Sequence, residues 1–215
     1  MAGRYQSEVR YGGPRGRYEF RVWGDDLAVY FGRLCEAGNL EDIEKSSESY
    51  IVSGMQSPFN AKLRAGRLDV KELVGTYKRL ELWRPYLKAR FPLSRQTIEQ
   101  DVRPILNLGR QAAVRSSYPV DSFIDEIVDP CPHLALVPLA KTRYRFTFES
   151  CLAEFTDVTV GEVNLETAAV ESEDVAAVLS AIVRLGLRTR ENRSYQRALR
   201  SMLGIDGISR ANLLA

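Results

Sequence analysis

The stretch KTRYRFTFES, Lys141 to Ser150, decides the fold. Arg143, Arg145, Thr147 and Glu149 fall on one parity, and Tyr144, Phe146 and Phe148 on the other. Successive side chains of an extended strand point to opposite faces, so this strand has one wholly polar and one wholly aromatic face. The aromatic face belongs against a packed core. What the polar face meets depends on whether other segments repeat the habit.

Several do. In RYEFRVW, Arg17 to Trp23, the residues Arg17, Glu19 and Arg21 oppose Tyr18, Phe20 and Val22. NAKLRAGRLDVKEL reads as a hairpin turning near Ala65-Gly66, with Lys62 and Arg64 sharing a face of one arm and Asp69 and Lys71 a face of the other, opposite Leu68 and Val70. CLAEFTDVTV pairs with the opening stretch as a second hairpin. In EVNLETAAVESED, which follows it, Thr167, Ala169, Glu171 and Glu173 share a face. Strand-like alternation also runs from Tyr77 to Trp83, before the interruptions at Pro85 and Pro92.

Helical spacing predicts the covering elements. Leu27, Tyr30, Phe31, Leu34 and Cys35 form an apolar stripe that Gly38 closes. Ser94 is a good N-cap for a helix carrying Ile98, Val102, Ile105 and Leu106, with a bend expected at Pro104. A short helix is expected around Ser122 to Val128, within a Pro-containing connection over residues 116–140. The clearest helix runs from about Glu173 to Leu185, with Val175, Val178, Leu179 and Ile182 at its spacing and Gly186 past its end. Residues 39–49 read as a polar connection leading to SYIVSGM. Residues 1–16 are expected to be a flexible arm. Without internal repeat or low-complexity linker, 17–215 is expected to form a single domain.

The 215-residue composition is that of an ordinary soluble protein. No apolar run approaches the ~18 residues of a membrane span and the N-terminal stretch lacks a signal-peptide core, so a cytoplasmic location is expected. Three cysteines outside any CxxC spacing indicate neither a disulfide framework nor a zinc site. The single histidine, His133 in DPCPHL, argues against Ser-His-Asp and Cys-His catalysis. The net charge of +2 conceals segregation: residues 61–115 carry 13 basic and 5 acidic groups, residues 116–180 carry 3 and 12.

Strands that each bear one charged face, with helices to cover the other, point to an α+β protein. Its antiparallel sheet is expected to be a closed or nearly closed β-barrel, a tunnel with a polar lumen and helices packed outside. Arginines and lysines gathered in such a lumen repel one another unless a counter-charge enters. A polyphosphate supplies it, and guanidinium groups bind phosphate oxygens bidentately. Carboxylates beside them call for a cation, and Mg2+ or Mn2+ bridging Glu to phosphate would satisfy both.

The order of these elements resembles the CYTH, or triphosphate tunnel metalloenzyme, superfamily, whose members include thiamine triphosphatases, inorganic triphosphatases and class IV adenylate cyclases. RYEFRVW is similar to its opening ExExK strand, AKLRAGRLDVKEL to its LRxR-like and following strands, KTRYRF to its basic strand and AVESED to its ExE strand. LRTRENRSYQRAL, with Ser194 and Tyr195, is similar to its closing segment. The resemblance covers roughly residues 17–200. It implies a small-molecule organic or inorganic triphosphate gripped by Arg21, Lys62, Arg64, Lys71, Arg143 and Arg145. Glu19, Glu154, Glu171 and Glu173 would hold Mg2+ or Mn2+, and Lys71, Glu171 and Glu173 would take part in hydrolysis. One departure stands out: Arg17 replaces the first carboxylate of the motif, and Arg21 its lysine.

Two functions follow as expectations: a metal-dependent triphosphatase, or a non-catalytic polyphosphate- or nucleotide-binding module that has lost its metal. A nucleic-acid partner, suggested by Tyr77, Trp83 and Tyr86 among basic residues, is disfavoured by the acidic block that follows. No membrane partner is expected, and a homodimer is left open.

Overall fold

The computed structural model describes residues 9–10, 16–109 and 113–204. Eight strands form the barrel: β1 (Arg17–Gly24), β2 (Asn39–Ser53), β3 (Phe59–Arg64), β4 (Arg67–Tyr77), β5 (Leu80–Arg90), β6 (Leu134–Phe148), β7 (Cys151–Val160) and β8 (Val163–Ser172). They pair antiparallel throughout, in the order β5-β1-β8-β7-β6-β2-β3-β4, and β4 returns to β5. The sheet is therefore closed, as expected, and the barrel itself leaves no strand edge to be covered. Five helical segments accompany it: α1 (Ala28–Ala37), α2 (residues 95–106), α3 (residues 120–128), α4 (Val175–Arg184) and α5 (Tyr195–Met202). Among the described residues no helix is long and apolar enough to cross a membrane.

The apolar parities build the outer cores. Phe20 and Val22 of β1, Phe146 and Phe148 of β6 and Val170 of β8 are buried with Leu34 of α1 and Val178 and Ile182 of α4. On the other side, Leu63, Leu68, Val70 and Leu87 meet Ile98, Val102 and Ile105 of α2 and Phe123 of α3. Each fully buried aliphatic or aromatic side chain contributes about 1.5–3 kcal/mol by leaving water, which sets these strand faces outward toward the helices.

Local signals behave as their chemistry dictates. Ala65 (φ 49°) and Gly66 (φ 67°) make the tight turn between β3 and β4. The Ser94 hydroxyl accepts from Thr97 N–H at 3.1 Å, and the Asp174 carboxylate caps α4 by accepting from Ala176 N–H at 2.8 Å. Pro104 has no N–H to give and its ring crowds the carbonyl four residues back. The helix is wound as a π turn over Ile98–Val102 just before it.

Three expectations are corrected. Residues 39–49 are not a connection but the outer half of β2, whose 15 residues pair along the length of β6. Its polarity on both parities hid it, and its apolar residues Leu40 and Ile43 are each 52% exposed. The alternation from Tyr77 to Trp83 spans two strands, because the chain reverses at Lys78 and Arg79, both at positive φ. Pro85 lies within β5, opposite Lys71 beside a register shift that relieves the ladder of its missing donor. Most of the N-terminal arm lies outside the described residues, but Val9 and Arg10 pair antiparallel with Lys88 and Leu87.

Candidate functional site inside the barrel

The inward parity changes character along the barrel. On β6 it reads Arg145, Arg143, Lys141 and then Leu139 and Val137, and the last two are buried with Tyr50, Val52, Val158, Tyr195 and Leu199. One end is thereby packed shut beneath α5. Tyr195 stacks on Tyr50, with ring centroids 5.0 Å apart, and meets Trp23 edge-on at 4.7 Å. Asn192 ties the preceding segment to β1, accepting from Arg21 N–H at 2.8 Å and donating to Glu19 O at 3.2 Å. The tunnel is thus a cup with Tyr195 in its floor.

Above this floor lies a cavity of about 510 Å³ whose wall carries eight lysines and arginines against five carboxylates. Arg21, Lys62, Arg64, Lys71, Arg143 and Arg145 all line it, as do Glu19, Glu154 and Glu171. Glu173 does not: β8 ends at Ser172, the chain turns toward the Asp174 cap, and Glu173 is exposed. Its parity with Glu171 ceases to matter once the strand stops.

Two carboxylate centres organise the cations. Deep in the cup Glu48, whose side chain is fully buried, accepts from Lys62 and Lys141 at 2.9 Å each and from Arg64 at 3.4 Å, with Arg143 3.8 Å away. Burial alone would push the Glu48 carboxyl up, but Lys141 and Lys62 outweigh it and bring it down to about 2. Burial also lowers Lys141, to about 7, against the opposing pull of Glu48. The Lys141 ammonium sits 3.8 Å from the Tyr195 ring centroid and donates to Tyr50 Oη at 3.2 Å.

In a second centre Glu171, Glu19 and Glu81 stand directly opposite one another on β8, β1 and β5, with Glu171 partly exposed toward the mouth and Glu19 and Glu81 buried. Arg17 Nη1 lies 3.0 Å from Glu171, and Arg21 Nε 3.0 Å from Glu19. The same Arg21 reaches Glu154 at 2.7 Å, and Arg143 reaches it from the other side at 3.4 Å. Burial opposes ionisation of Glu154, yet Arg21 and Arg143 hold its carboxyl far below the usual range. Glu81 goes the other way: burial raises it, partly offset by the Trp83 indole N–H that donates to it at 3.1 Å. Arg145 pairs with Glu44. Lys71 and Lys88 line the cavity with no carboxylate at salt-bridge distance among the described residues.

Glu48, Lys141, Glu81 and Lys88 were missed in the sequence. Lys141 shares the parity of Arg143 and could have been read from the opening stretch. Glu48 shares that of Tyr50 in β2 and became visible only with that strand.

The carboxylates fit a divalent metal poorly. Glu19, Glu154 and Glu171 each already meet a guanidinium, Glu173 lies outside the cavity, and no cluster of three or more His, Cys, Asp or Glu suited to a metal ion occurs among the described residues. Hard cations need oxygen ligands free to close around them.

No family model matches the sequence, and no curated protein matches it. Among solved structures, PH1012 from Pyrococcus horikoshii aligns with a TM-score of 0.51 at 14% identity, over 85% of this chain and 98% of its own. A Pyrococcus furiosus protein, Pfu-838710-001, aligns at 0.47 and 13%, over 84% and 98%. HpAC1 from Hippeastrum, a protein with a dominant triphosphatase activity, aligns at 0.46 and 11%, over 89% and 96%. The chain shares its fold with PH1012, and its closed antiparallel barrel with a charged interior is the architecture that the resemblance to the triphosphate tunnel superfamily implies.

Proposed function

We propose that the protein binds a triphosphate-containing small molecule in this cup, and does so through lysine and arginine without a bridging metal. The observation that carries this reading is the convergence of Arg21, Lys62, Arg64, Lys71, Arg143 and Arg145, from four strands, on one cavity with more cations than carboxylates. A ligand phosphate completes the neutralisation that the wall leaves unfinished. Lys71 and Lys88 are the first grips, because among the described residues neither has a carboxylate at salt-bridge distance to surrender. Arg64 and Arg145, at side-chain exposures of 31% and 43%, can turn toward an incoming anion. Arg143 and Lys62 are held in place by Glu48, so they meet the ligand without reorganising. Enclosure excludes water and strengthens each contact.

The hydrolytic reading shares this cavity. It would place Mg2+ or Mn2+ among Glu19, Glu154 and Glu171, with Lys71 and Glu171 acting on the transferred phosphoryl group and water as nucleophile. The guanidinium already paired with each of those carboxylates counts against it, so binding is the better-supported function. Titration calorimetry with tripolyphosphate in EDTA should show one site per chain, abolished by Arg143→Ala combined with Lys71→Ala. Absence of affinity in EDTA and with added metal alike would sink the reading. Phosphate release from tripolyphosphate, thiamine triphosphate or ATP with Mn2+ would favour the hydrolase.

A further inference from the structure

We infer that Arg17 is the residue that makes the acidic side of the cup indifferent to divalent cations: its guanidinium stands against Glu171 in a cation's place, and replacing it with a carboxylate would create a metal site. This deepens the polyphosphate reading of the same cavity, but the test with metal alone does not depend on that reading.

Glu171, Glu19 and Glu81 occupy directly opposed positions on three neighbouring strands. Like charges placed this way repel, so the row requires cations. β1 itself supplies two of them, because Arg17 and Arg21 lie two residues either side of Glu19 on its inward parity. Arg17 pairs with Glu171 at 3.0 Å, Arg21 with Glu19 at 3.0 Å, and Arg197 of α5 stands 3.7 Å from Glu81. Each carboxylate of the row therefore faces a guanidinium. An entering dication would meet three fixed positive charges, and arginine cannot step aside by losing its proton.

Position 17 has more leverage than position 21. The Arg21 side chain is only 7% exposed, also donates to Thr167 Oγ1 at 3.3 Å, and lies 4.8 Å over the Tyr195 ring, so changing it disturbs the floor. Arg17 is 47% exposed at the mouth. Glutamate there removes one positive charge and adds one negative charge beside Glu19 and Glu171. It leaves the row two negative charges in excess, which is what a divalent ion neutralises.

The test uses Mn2+ alone, followed by the electron paramagnetic resonance signal of free Mn2+, on the full chain and on Arg17→Glu, with circular dichroism as the check on folding. Wild type should leave the signal undiminished. Arg17→Glu should take up about one equivalent, at least ~10-fold more tightly, and lose it again when Glu171→Gln is added. Arg17→Gln, which only removes the cation, should fall between them and serves if the glutamate variant does not fold. Uptake by wild type equal to that of the variants, or no uptake by either folded variant, overturns the inference. Calorimetry separates the two claims: tripolyphosphate affinity that appears in wild type only with Mn2+ overturns the metal indifference. No tripolyphosphate affinity under any condition overturns the polyphosphate reading and leaves the Mn2+ comparison standing.

Discussion

Two carboxylate centres share one lumen and are held in opposite ways. Glu48 lies at full depth among Lys62, Arg64, Lys141 and Arg143, with no exposed side-chain surface. The row of Glu171, Glu19 and Glu81 is buried at Glu19 and Glu81 and opens at the mouth in the Arg17–Glu171 pair, 47% and 26% exposed. The difference teaches that charge count does not say what an ion pair is for. Deep charges cannot recover their hydration, so Glu48 must keep Lys62 and Lys141 for the barrel to stand and that pairing acts as architecture, while the more exposed Arg64 is the member able to turn away. The exposed Arg17–Glu171 end exchanges a partner for water at little cost and remains available for ligand recognition.

Breaking the deep centre should have the largest effect. Glu48→Gln leaves four cations facing a neutral amide, and is expected to cost about 3–5 kcal/mol in chemical denaturation. A loss under ~1 kcal/mol would show that the cluster is not structural. Acid probes the same centre without mutation. Glu48 titrates near 2 in the folded chain against an ordinary 4.5, so its stabilisation is complete above about pH 5 and is lost as pH falls toward 2. Urea midpoints across that range should decline in wild type and more weakly in Glu48→Gln. At the ligand wall, Lys71→Ala should weaken tripolyphosphate about 10-fold in calorimetry, ~1.4 kcal/mol, while leaving the denaturation midpoint in place. The smallest effect belongs to Arg17→Ala, whose half-exposed pair should change stability by no more than ~1 kcal/mol. A loss matching that of Glu48→Gln would erase the distinction between the two centres.

Much of the barrel was legible because its strands pack one face under helices. The parity of Tyr18, Phe20 and Val22 in β1, and of Tyr144, Phe146 and Phe148 in β6, sets each strand's outward face, and the charged residues then had to look inward. β2 was not legible, since its outer half is largely exposed and carries no apolar stripe. The turn at Lys78-Arg79 was hidden because two basic residues in left-handed backbone carry no glycine signature. Glu173 was misplaced for the converse reason: strand parity was extended past the point where β8 ends.

The sequence by itself determined the inward face of the strands whose other face is apolar, β1, β4 and β6, and the run of cations they carry, because side-chain direction in a strand is a local property of the backbone. Only the tertiary structure decided which charges meet. Lys141 and Glu48 stand 93 positions apart and touch at 2.9 Å, and Arg17 and Glu171 stand 154 apart and touch at 3.0 Å. Sheet closure and register set those distances, and they turn a surplus of inward charge into a shut floor, a buried cluster and an open, cation-lined mouth.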